Sequence, residues 1–408
     1  MKCRALLLIA SVFGSTGAAF PEPLLPEKII YQEASTQQVI PYRDGVLIES
    51  DHYAADSVMY ARFDAKVTST FKVEGIQLLL DVEQSTNGVL FLGLHEKKIR
   101  VIVENPRGER KFVAVPDEFH PRFLEDLKPA TRPRLISTSN RAAAIAGDVV
   151  WWFGEEWKSR KLPKVPQFDE EVKPGRFGHE FGDAHYLEGT TLYAGWNHGE
   201  WGGMLTAIDL SDPKAKWIHI SGKPVGDDSG IPQNSPIHSI VSPKKGEIWV
   251  ATGLAHLGGS WRGLHHRDSD GKWRSLIDGE FEDDRGSMKL PIPTSIQGIA
   301  ADHGGQIYIL AGQAGILRLG KGGLEHEVKH NFFSHASDRG DYTVGSYPSE
   351  LGISRSGDIY VSTNSFGVLT FRKNDKGWSA RQITLNERDN KTLDINGLPP
   401  SKSEQEDE

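Results

Sequence analysis

Short apolar runs separated by polar turns extend along most of the chain. The runs are rich in Val, Ile, Leu and aromatic residues, and the turns between them contain Gly, Asn or Asp. Such a pattern is typical of β-strands joined by tight turns. The repeat region shows no convincing amphipathic helix. The pattern therefore excludes a parallel sheet, which needs helical crossovers, and also helical solenoids.

Three segments share the same pattern, which is a strand, a polar turn and a second strand centred on an aromatic residue. They are 238–252, 297–311 and 350–363. Each continues through a glycine into a third strand and then into a fourth strand. A tryptophan often marks the fourth strand, at a spacing of about fifty residues. The residues at this place are Trp157, Trp217, Trp273, Leu324 and Trp378.

This repeat predicts an all-β protein built as a single β-propeller. A four-stranded antiparallel meander cannot bury both of its faces alone, and radial stacking of copies buries them. Weaker meanders precede the clear copies and bring the expected number to seven blades, with six or eight as alternatives. The weaker meanders cover residues 38–73, 75–115 and 134–162, and a further meander covers 182–220.

The predicted propeller spans residues 37–385 and has a segment on either side. Residues 20–36 form an N-terminal segment in which Ile29-Ile30-Tyr31 can add a strand that closes the ring. Residues 386–408 are polar and acidic, so we expect a disordered tail.

The first nineteen residues have the order of a secretory signal peptide. Lys2 and Arg4 precede a short apolar run, and small residues continue to Ala19. We therefore expect cleavage after Ala19 and a secreted or periplasmic protein. The apolar run is too short to span a bilayer, and no later run approaches the about 20 apolar residues that a membrane helix requires.

Composition removes several classes of protein. Lys plus Arg number 47 and Asp plus Glu number 55, giving a net charge of −8, whereas a dedicated nucleic-acid binder is basic. The one cysteine, Cys3, excludes a disulfide scaffold and a cysteine zinc site. The P-loop, the dinucleotide glycine fingerprint and the standard hydrolase motifs are missing from the sequence.

The repeats resemble bacterial propeller repeats of the two-component-regulator kind and, more loosely, NHL-type and gluconolactonase-like propellers. The resemblance rests on runs such as 246–252 and 357–363 and covers mostly residues 182–385. It implies the architecture and says little about activity, because these propellers serve many functions.

The candidate site residues lie where the innermost strands begin. The repeat alignment places a polar residue at the start of each innermost strand. Because these strands surround one central axis, the polar residues should lie close together. We expect a ligand site in this funnel. The alternative is that the residues cap a water-filled channel and stabilise the ring. The aligned residues are Gln77, Asp183, His238, Gln297 and Glu350.

Long loops are expected on the same face, which usually marks the binding face of a repeat protein. Two of them, 195–203 and 253–263, combine His and Trp. Aromatic faces suit sugars, and Arg suits carboxylates. The alternative is that these aromatics pack the loops onto the propeller. The residues predicted at the rim are His185, Trp196, His198, His256, Trp261 and Arg262.

A divalent metal is a further hypothesis. His185 and His198 are possible ligands, although their spacing matches no known zinc site. Calcium held between Asp183 and Glu350 would resemble a lactonase-type propeller. That pattern also needs Asn and Asp ligands, to which the sequence assigns no positions.

Three functions follow from this interpretation. The first is an exported, monomeric propeller that binds or senses a small molecule, a glycan or a protein at the funnel. The second is an enzyme on the same face, either a metal-assisted, lactonase-like hydrolase or a polysaccharide lyase, which would need an acid and a base within reach of one substrate. The third is a protein–protein scaffold, which would expose a broad apolar patch.

Overall fold

A computed structural model describes residues 36–383, with larger gaps at 52–57, 117–132, 166–181, 223–230, 281–294 and 337–342 and shorter breaks at turns. The predicted signal peptide and the predicted tail lie outside these residues. The described elements are all β-strands. No helix in the described part is long and apolar enough to cross a membrane.

The first three four-stranded antiparallel sheets correspond to the weaker meanders of the sequence. In each one, four strands follow one another in chain order from the centre of the ring to its outer edge, and in the third sheet β10 is left out of this order. Their strands are β1 (Thr36–Tyr42), β2 (Gly45–Asp51), β3 (Val58–Asp64) and β4 (Val67–Thr70); β5 (Leu78–Ser85), β6 (Gly88–His95), β7 (Lys98–Glu104) and β8 (Arg110–Val113); and β9 (Arg134–Leu135), β11 (Ala142–Ala146), β12 (Val149–Phe153) and β13 (Trp157–Lys161).

Four further sheets follow in the same order. Between the last two lies a small hairpin of β26 (His335–Ala336) and β27 (Thr343–Val344). The strands of these sheets are β14 (Ala184–Glu188), β15 (Thr191–Asn197), β16 (Gly203–Asp209) and β17 (Ile218–His219); β18 (Ile237–Val241), β19 (Ile248–His256), β20 (Gly259–Arg267) and β21 (Trp273–Glu280); β22 (Ile296–Ala301), β23 (Ile307–Ala311), β24 (Gly315–Gly320) and β25 (Gly323–Val328); and β28 (Pro348–Ile353), β29 (Ile359–Thr363), β30 (Gly367–Asn374) and β31 (Gly377–Ile383).

These sheets, here called blades 1 to 7 in chain order, form a closed ring. A separate cluster of buried apolar side chains lies between each neighbouring pair of blades, including blades 7 and 1. Each sheet therefore buries both of its faces against its neighbours. This arrangement is a β-propeller, and the described residues supply seven blades to it.

The ring closes by packing between blades 7 and 1, an interface here called the seam. Val39 and Ile48 of blade 1 share a buried cluster with Tyr360 and Val368 of blade 7. Blade 1 and blade 7 each consist of one continuous stretch of chain, so no strand is exchanged across the seam within the described residues. The predicted closing strand at 29–31 lies outside those residues and stays a prediction.

The repeated tryptophans lie in or beside the outer strands, as the repeat predicts. Trp157, Trp273 and Trp378 lie in β13, β21 and β31, and Trp217 directly precedes β17. Each packs into the cluster between its own blade and the preceding one. Leu324 takes the same place in blade 6. The predicted packing of Trp273 and Trp378 between blades is confirmed.

Blades 3 and 4 are additionally joined by backbone pairing. The innermost strand of blade 3 is interrupted after Leu135, and β10 (Ser137–Thr138) pairs in parallel with β14 of blade 4. The Thr138 hydroxyl also donates a hydrogen bond of 2.9 Å to the carbonyl of Leu187. These contacts fix the two blades to each other near the ring axis.

Candidate functional site

The funnel residues lie at one end of the innermost strands, the end here called the mouth of the central channel. Asp183 directly precedes β14, and His238 and Gln297 are the second residues of β18 and β22. Glu350 is the third residue of β28. The structure therefore places residues from four blades at the same end of the ring.

A β-bulge changes how these positions correspond. The strand register shifts directly before Ser239, Gly298 and Glu350, so these three residues are equivalent. His238 and Gln297 are the extra residues within their bulges. A bulge adds one residue and turns its side chain in a new direction. The sequence alignment that set Glu350 level with His238 and Gln297 is therefore wrong by one position.

Two blades share a hydrogen-bonded chain at the mouth. The Asp183 carboxylate accepts from the backbone N–H of Asn197 at 2.9 Å. The Asn197 side-chain amide lies 3.2 Å from Nδ1 of His238, whose Nε2 lies 2.7 Å from the carbonyl of Gly253. Blades 4 and 5 are thus connected through His238, and the Asp183 side chain is exposed at the end of the chain.

The partners of His238 fix its tautomer. A carbonyl oxygen only accepts, so Nε2 carries the proton toward Gly253, and Nδ1 accepts from the Asn197 amide. Burial lowers the pKa of His238, although its hydrogen bond to Gly253 raises it in part. The imidazole is therefore held neutral at physiological pH, with both nitrogens occupied.

The two other predicted histidines of blade 4 differ in environment. His198 is 4% exposed; burial lowers its pKa, and the nearby Asp183 carboxylate opposes this effect. His198 therefore lies close to the mouth acid. His185 is half-buried in β14, on the same side of the strand as the core residue Leu187, so it faces the blade 3 side.

Two predicted rim residues are buried instead. Trp196 lies within β15 and is 1% exposed, and its ring meets that of Trp217 edge-on at 6.1 Å in the core between blades 3 and 4. Arg262 is 3% exposed in β20, opposite Gly253. Neither side chain presents a surface at the rim, in contrast to the sequence-based expectation.

The predicted loop 253–263 is mostly strand. β19 continues to His256 and β20 begins at Gly259, so these two strands form one long hairpin rather than an open loop. The positions of His256 and Trp261 in this hairpin are described, and their side chains lie outside the described residues. In blade 4 the corresponding connection is likewise shortened by strands β15 and β16.

Deeper in the channel, three side chains reach the innermost strand of the following blade. Asp81 accepts from the N–H of Leu135, Ser239 from that of Ile299, and Glu350 from that of Val39. In each case the first residue directly follows a bulge. We call these three hydrogen bonds the inter-blade clamps.

The clamps have a simple physical reason. One edge of each innermost strand faces the channel. Except in blade 4, where β10 pairs with β14, this edge has no partner strand among the described residues, and a buried unpaired N–H is costly. A short polar side chain from the preceding blade satisfies one such group and joins two blades. Glu350 performs this role across the seam, at 3.0 Å from Val39.

The Glu350 carboxylate is also subject to the charge of Arg134, which directly precedes the clamped Leu135. Arg134 belongs to blade 3, which is not a neighbour of blade 7 in the ring. Burial raises the pKa of Glu350 to about 7, while the Val39 hydrogen bond and Arg134 oppose this rise.

The calcium hypothesis fits these residues poorly. Each of the two proposed ligands, Asp183 and Glu350, already accepts a backbone hydrogen bond. The Arg134 guanidinium acts on Glu350, and its charge would repel a divalent cation at that carboxylate. Among the described residues, no group of three or more His, Cys, Asp or Glu is arranged to hold a metal ion.

Sequence reasoning missed Asp81, Arg134 and Asn197. Asp81 and Arg134 stand on innermost strands of the less regular blades, where the repeat alignment gave no common offset. Asn197 was grouped with a loop, although it ends β15. Asp81 is equivalent in position to Glu350, because both directly follow a bulge that only the structure reveals.

Comparison with known proteins does not assign this chain to a family. No family model matches the chain, and no curated protein matches it. Among solved structures, YCF48 from Cyanidioschyzon merolae is 11% identical, covers 85% of this chain and 97% of its own, and has a TM-score of 0.38. Sqt1 from Chaetomium thermophilum is 13% identical, covers 86% and 98%, and has a TM-score of 0.44.

A third solved structure, Hsv2 from Kluyveromyces lactis, is 10% identical, covers 84% of this chain and 95% of its own, and has a TM-score of 0.34. Likenesses this loose say nothing about ligand or activity. The assignment to the β-propellers rests on the four-stranded blades and on the closed ring of interfaces between them.

Proposed function

We propose that this protein is an exported β-propeller that binds a small polar ligand at the mouth of its central channel. The observation that supports this most is the chain from Asp183 through Asn197 to His238. It leaves the Asp183 carboxylate exposed and connects it, through Asn197, to the neutral His238 imidazole of the neighbouring blade. Rigid, pre-formed polar groups in a concave site are what ligand recognition requires.

Thermal shift tests this proposal directly. Mature protein is screened against small polar molecules, glycans and divalent cations. A ligand at a hundredfold excess over its Kd stabilises the folded state by about 2.7 kcal/mol. We expect Asp183→Asn to lose most of this stabilisation, because the amide keeps an acceptor for Asn197 and removes the charge.

Asp270→Asn is the matched control. Asp270 is an exposed acid in the turn between β20 and β21, at the end of the blade opposite the mouth. This variant should respond to the ligand as wild type does. A ligand response that survives Asp183→Asn unchanged would contradict a site at the mouth.

Export is the second part of the proposal and rests on the N-terminal sequence alone. Secreted protein should begin near Phe20, since the small residues of the predicted cleavage site end at Ala19. N-terminal sequencing that finds intact Met1 would contradict cleavage after Ala19, and recovery of the protein only from the cytoplasm would contradict export.

An enzyme at the same site is the alternative that one observation favours. Glu350, with a pKa of about 7, is suited to exchange a proton near neutral pH. Hydrolysis of a lactone or ester that is abolished by Glu350→Gln, with folding intact, would establish this alternative. His238 is less suited to act as a base, because both of its ring nitrogens are occupied.

A further inference from the structure

A group of charged side chains lies where blades 1 and 2 meet, at the end of the ring opposite the mouth. Its acid is Glu104, the last residue of β7, which is 3% exposed. The carboxylate accepts from Nε of Arg43 at 3.2 Å, from Nε of Arg110 at 2.7 Å and from the Tyr42 hydroxyl at 3.0 Å. The buried carboxylate is therefore fully occupied by partners from both blades.

The two arginines keep donors that Glu104 does not use. Each bonds Glu104 through Nε, and Arg110 also donates from Nη2 to the Tyr42 oxygen at 3.2 Å. Neither arginine makes a further hydrogen bond or ion pair with another described residue. Their side chains are 47% and 27% exposed, so the remaining terminal N–H groups are available to solvent or to a ligand.

Aromatic rings hold the two guanidinium groups in place. The Arg43 guanidinium lies over the Tyr42 ring at 5.1 Å, and that of Arg110 lies over the Phe91 ring at 5.7 Å. Such contacts involve the faces of the guanidinium planes and leave their N–H edges for hydrogen bonds. The donors are thus pre-positioned before any ligand arrives.

A third arginine reaches the same place from blade 7. Nη2 of Arg355 donates to the carbonyl of Pro106 at 2.8 Å, in the turn 105–109 between β7 and β8. Arg43 reaches this turn as well, since a Cβ added at Gly108 would lie 3.5 Å from its Nη2. Cations from three blades therefore meet at one short turn.

These residues carry an excess of positive charge. We call Arg43, Arg110 and Arg355, with Glu104, the arginine cluster. Its three guanidinium groups face one carboxylate, which leaves two positive charges in excess. Two further exposed residues of the turn, one cation and one acid, offset each other, namely Arg107 and Glu109. This excess is local, because the whole chain has a net charge of −8.

We propose that the arginine cluster binds a tetrahedral oxyanion, a phosphate or sulfate group. Arg43 and Arg110 would hold it through the N–H edges that Glu104 leaves unused, and Arg355 would add charge from a third blade. The site lies at the end of the ring opposite the mouth, so this inference is independent of the proposed function.

Charge and shape favour a tetrahedral dianion over a carboxylate. A phosphate group carries a charge of about −1.5 to −2 near pH 7, which matches the excess of the cluster, whereas a carboxylate carries only one charge. A tetrahedral anion also directs its oxygens outside a single plane. It can therefore accept from guanidinium groups that approach from different blades.

The experiment is isothermal titration calorimetry of the purified protein with inorganic phosphate, sulfate and acetate. Sodium chloride keeps the ionic strength constant, because salt screens exposed charges. We expect phosphate and sulfate to bind at least about tenfold more tightly than acetate. Phenyl phosphate is added as an ester: binding as tight as that of phosphate supports an esterified ligand, and weaker binding supports the free ion.

Two variants and a control test the assignment of residues. Arg43→Gln and Arg355→Gln should each weaken phosphate binding by about tenfold. Arg43→Lys keeps the charge and loses the planar fork, so it should restore only part of the affinity. Lys98→Gln removes an exposed cation at the mouth end of blade 2 and should bind like wild type. Circular dichroism and melting check that each variant is folded.

The results that would overturn this inference differ from those that bear on the mouth. Absence of phosphate and sulfate binding, or acetate binding of equal strength, would overturn it. Equal losses in Arg43→Gln and Lys98→Gln would overturn it too, because net charge alone would then explain the binding. Phosphate binding that Asp183→Asn leaves unchanged supports a separate site, and binding lost in Asp183→Asn would place the anion at the mouth and contradict the inference.

Discussion

The interface between blades 3 and 4 and the seam between blades 7 and 1 hold the same ring together by different means. The first buries fourteen apolar residues, Trp196 and Trp217 among them, and adds parallel strand pairing. Among the described residues the seam buries six and adds the Glu350 hydrogen bond to Val39. The larger cores between blades 2 and 3 and between blades 5 and 6 have a polar clamp as well, so such a clamp accompanies apolar packing at several interfaces.

Removal of a large ring from the bigger core should have the largest effect. Trp217 is 7% exposed, and its indole N–H donates to the Pro163 carbonyl at 3.0 Å. We expect Trp217→Ala to lower the free energy of unfolding by about 3–5 kcal/mol, as measured by chemical denaturation. Ile218→Ala, at the adjacent 60% exposed position, should change it by less than about 0.5 kcal/mol. Equal effects of the two variants would contradict the assigned packing.

The interface between blades 2 and 3 has both a large apolar core and a clamp. Variants of the clamp residue there measure what the clamp adds to the stability that the core provides. Asp81 is 8% exposed and accepts from the N–H groups of Val82 and Leu135. Asp81→Ala should cost about 1–3 kcal/mol of unfolding free energy, because it leaves buried donors unpaired. Asp81→Asn keeps one acceptor and should cost less. A reversed order of the two variants would show that the clamp does not stabilise this interface.

Titration of Glu350 should make the seam sensitive to pH. The carboxyl has a pKa of about 7 in the folded protein against an ordinary value of 4.5, so the folded state binds its proton more tightly. The stabilisation is complete below about pH 4.5 and is lost as the pH rises through 7. We expect wild type to lose on the order of 1–3 kcal/mol between pH 5 and pH 8 relative to Glu350→Gln. Parallel stability curves for the two proteins would contradict this.

The smallest effect should come from the hydroxyl clamp. Ser239 accepts from Ile299 at 2.9 Å between blades 5 and 6, which also share a large apolar core. Ser239→Ala should cost about 0.5–1.5 kcal/mol of unfolding free energy. Ser159→Ala, at an exposed site of β13, should be neutral. A cost for Ser239→Ala above that for Asp81→Ala would reverse the expected order of the clamps.

The sequence was sufficient to predict the architecture because blade packing depends on apolar periodicity. Trp273 and Trp378 recur at one place in each repeat, and that place packs between blades. The weaker early meanders were also located correctly, since their alternating apolar runs form strands such as β6 and β7.

The details of the site were less predictable for physical reasons. A bulge adds one residue without a clear sequence signal, so Glu350 was aligned one position away from its true equivalents. Burial of Trp196 depends on the length of β15, which apolar content alone does not reveal. The effect of the Arg134 charge on Glu350 links residues more than two hundred positions apart, which the sequence order does not reveal.

The most direct test of the central claim, that the seam residue Glu350 is buried and subject to the charge of Arg134, is the titration of Glu350 by carbon-13 NMR. Its side-chain carboxyl signal would be assigned with Glu350→Gln. We predict a midpoint near pH 7 in wild type and a higher midpoint in Arg134→Gln, because the guanidinium favours the ionised carboxylate. A midpoint near 4.5 that Arg134→Gln leaves unchanged would contradict the account.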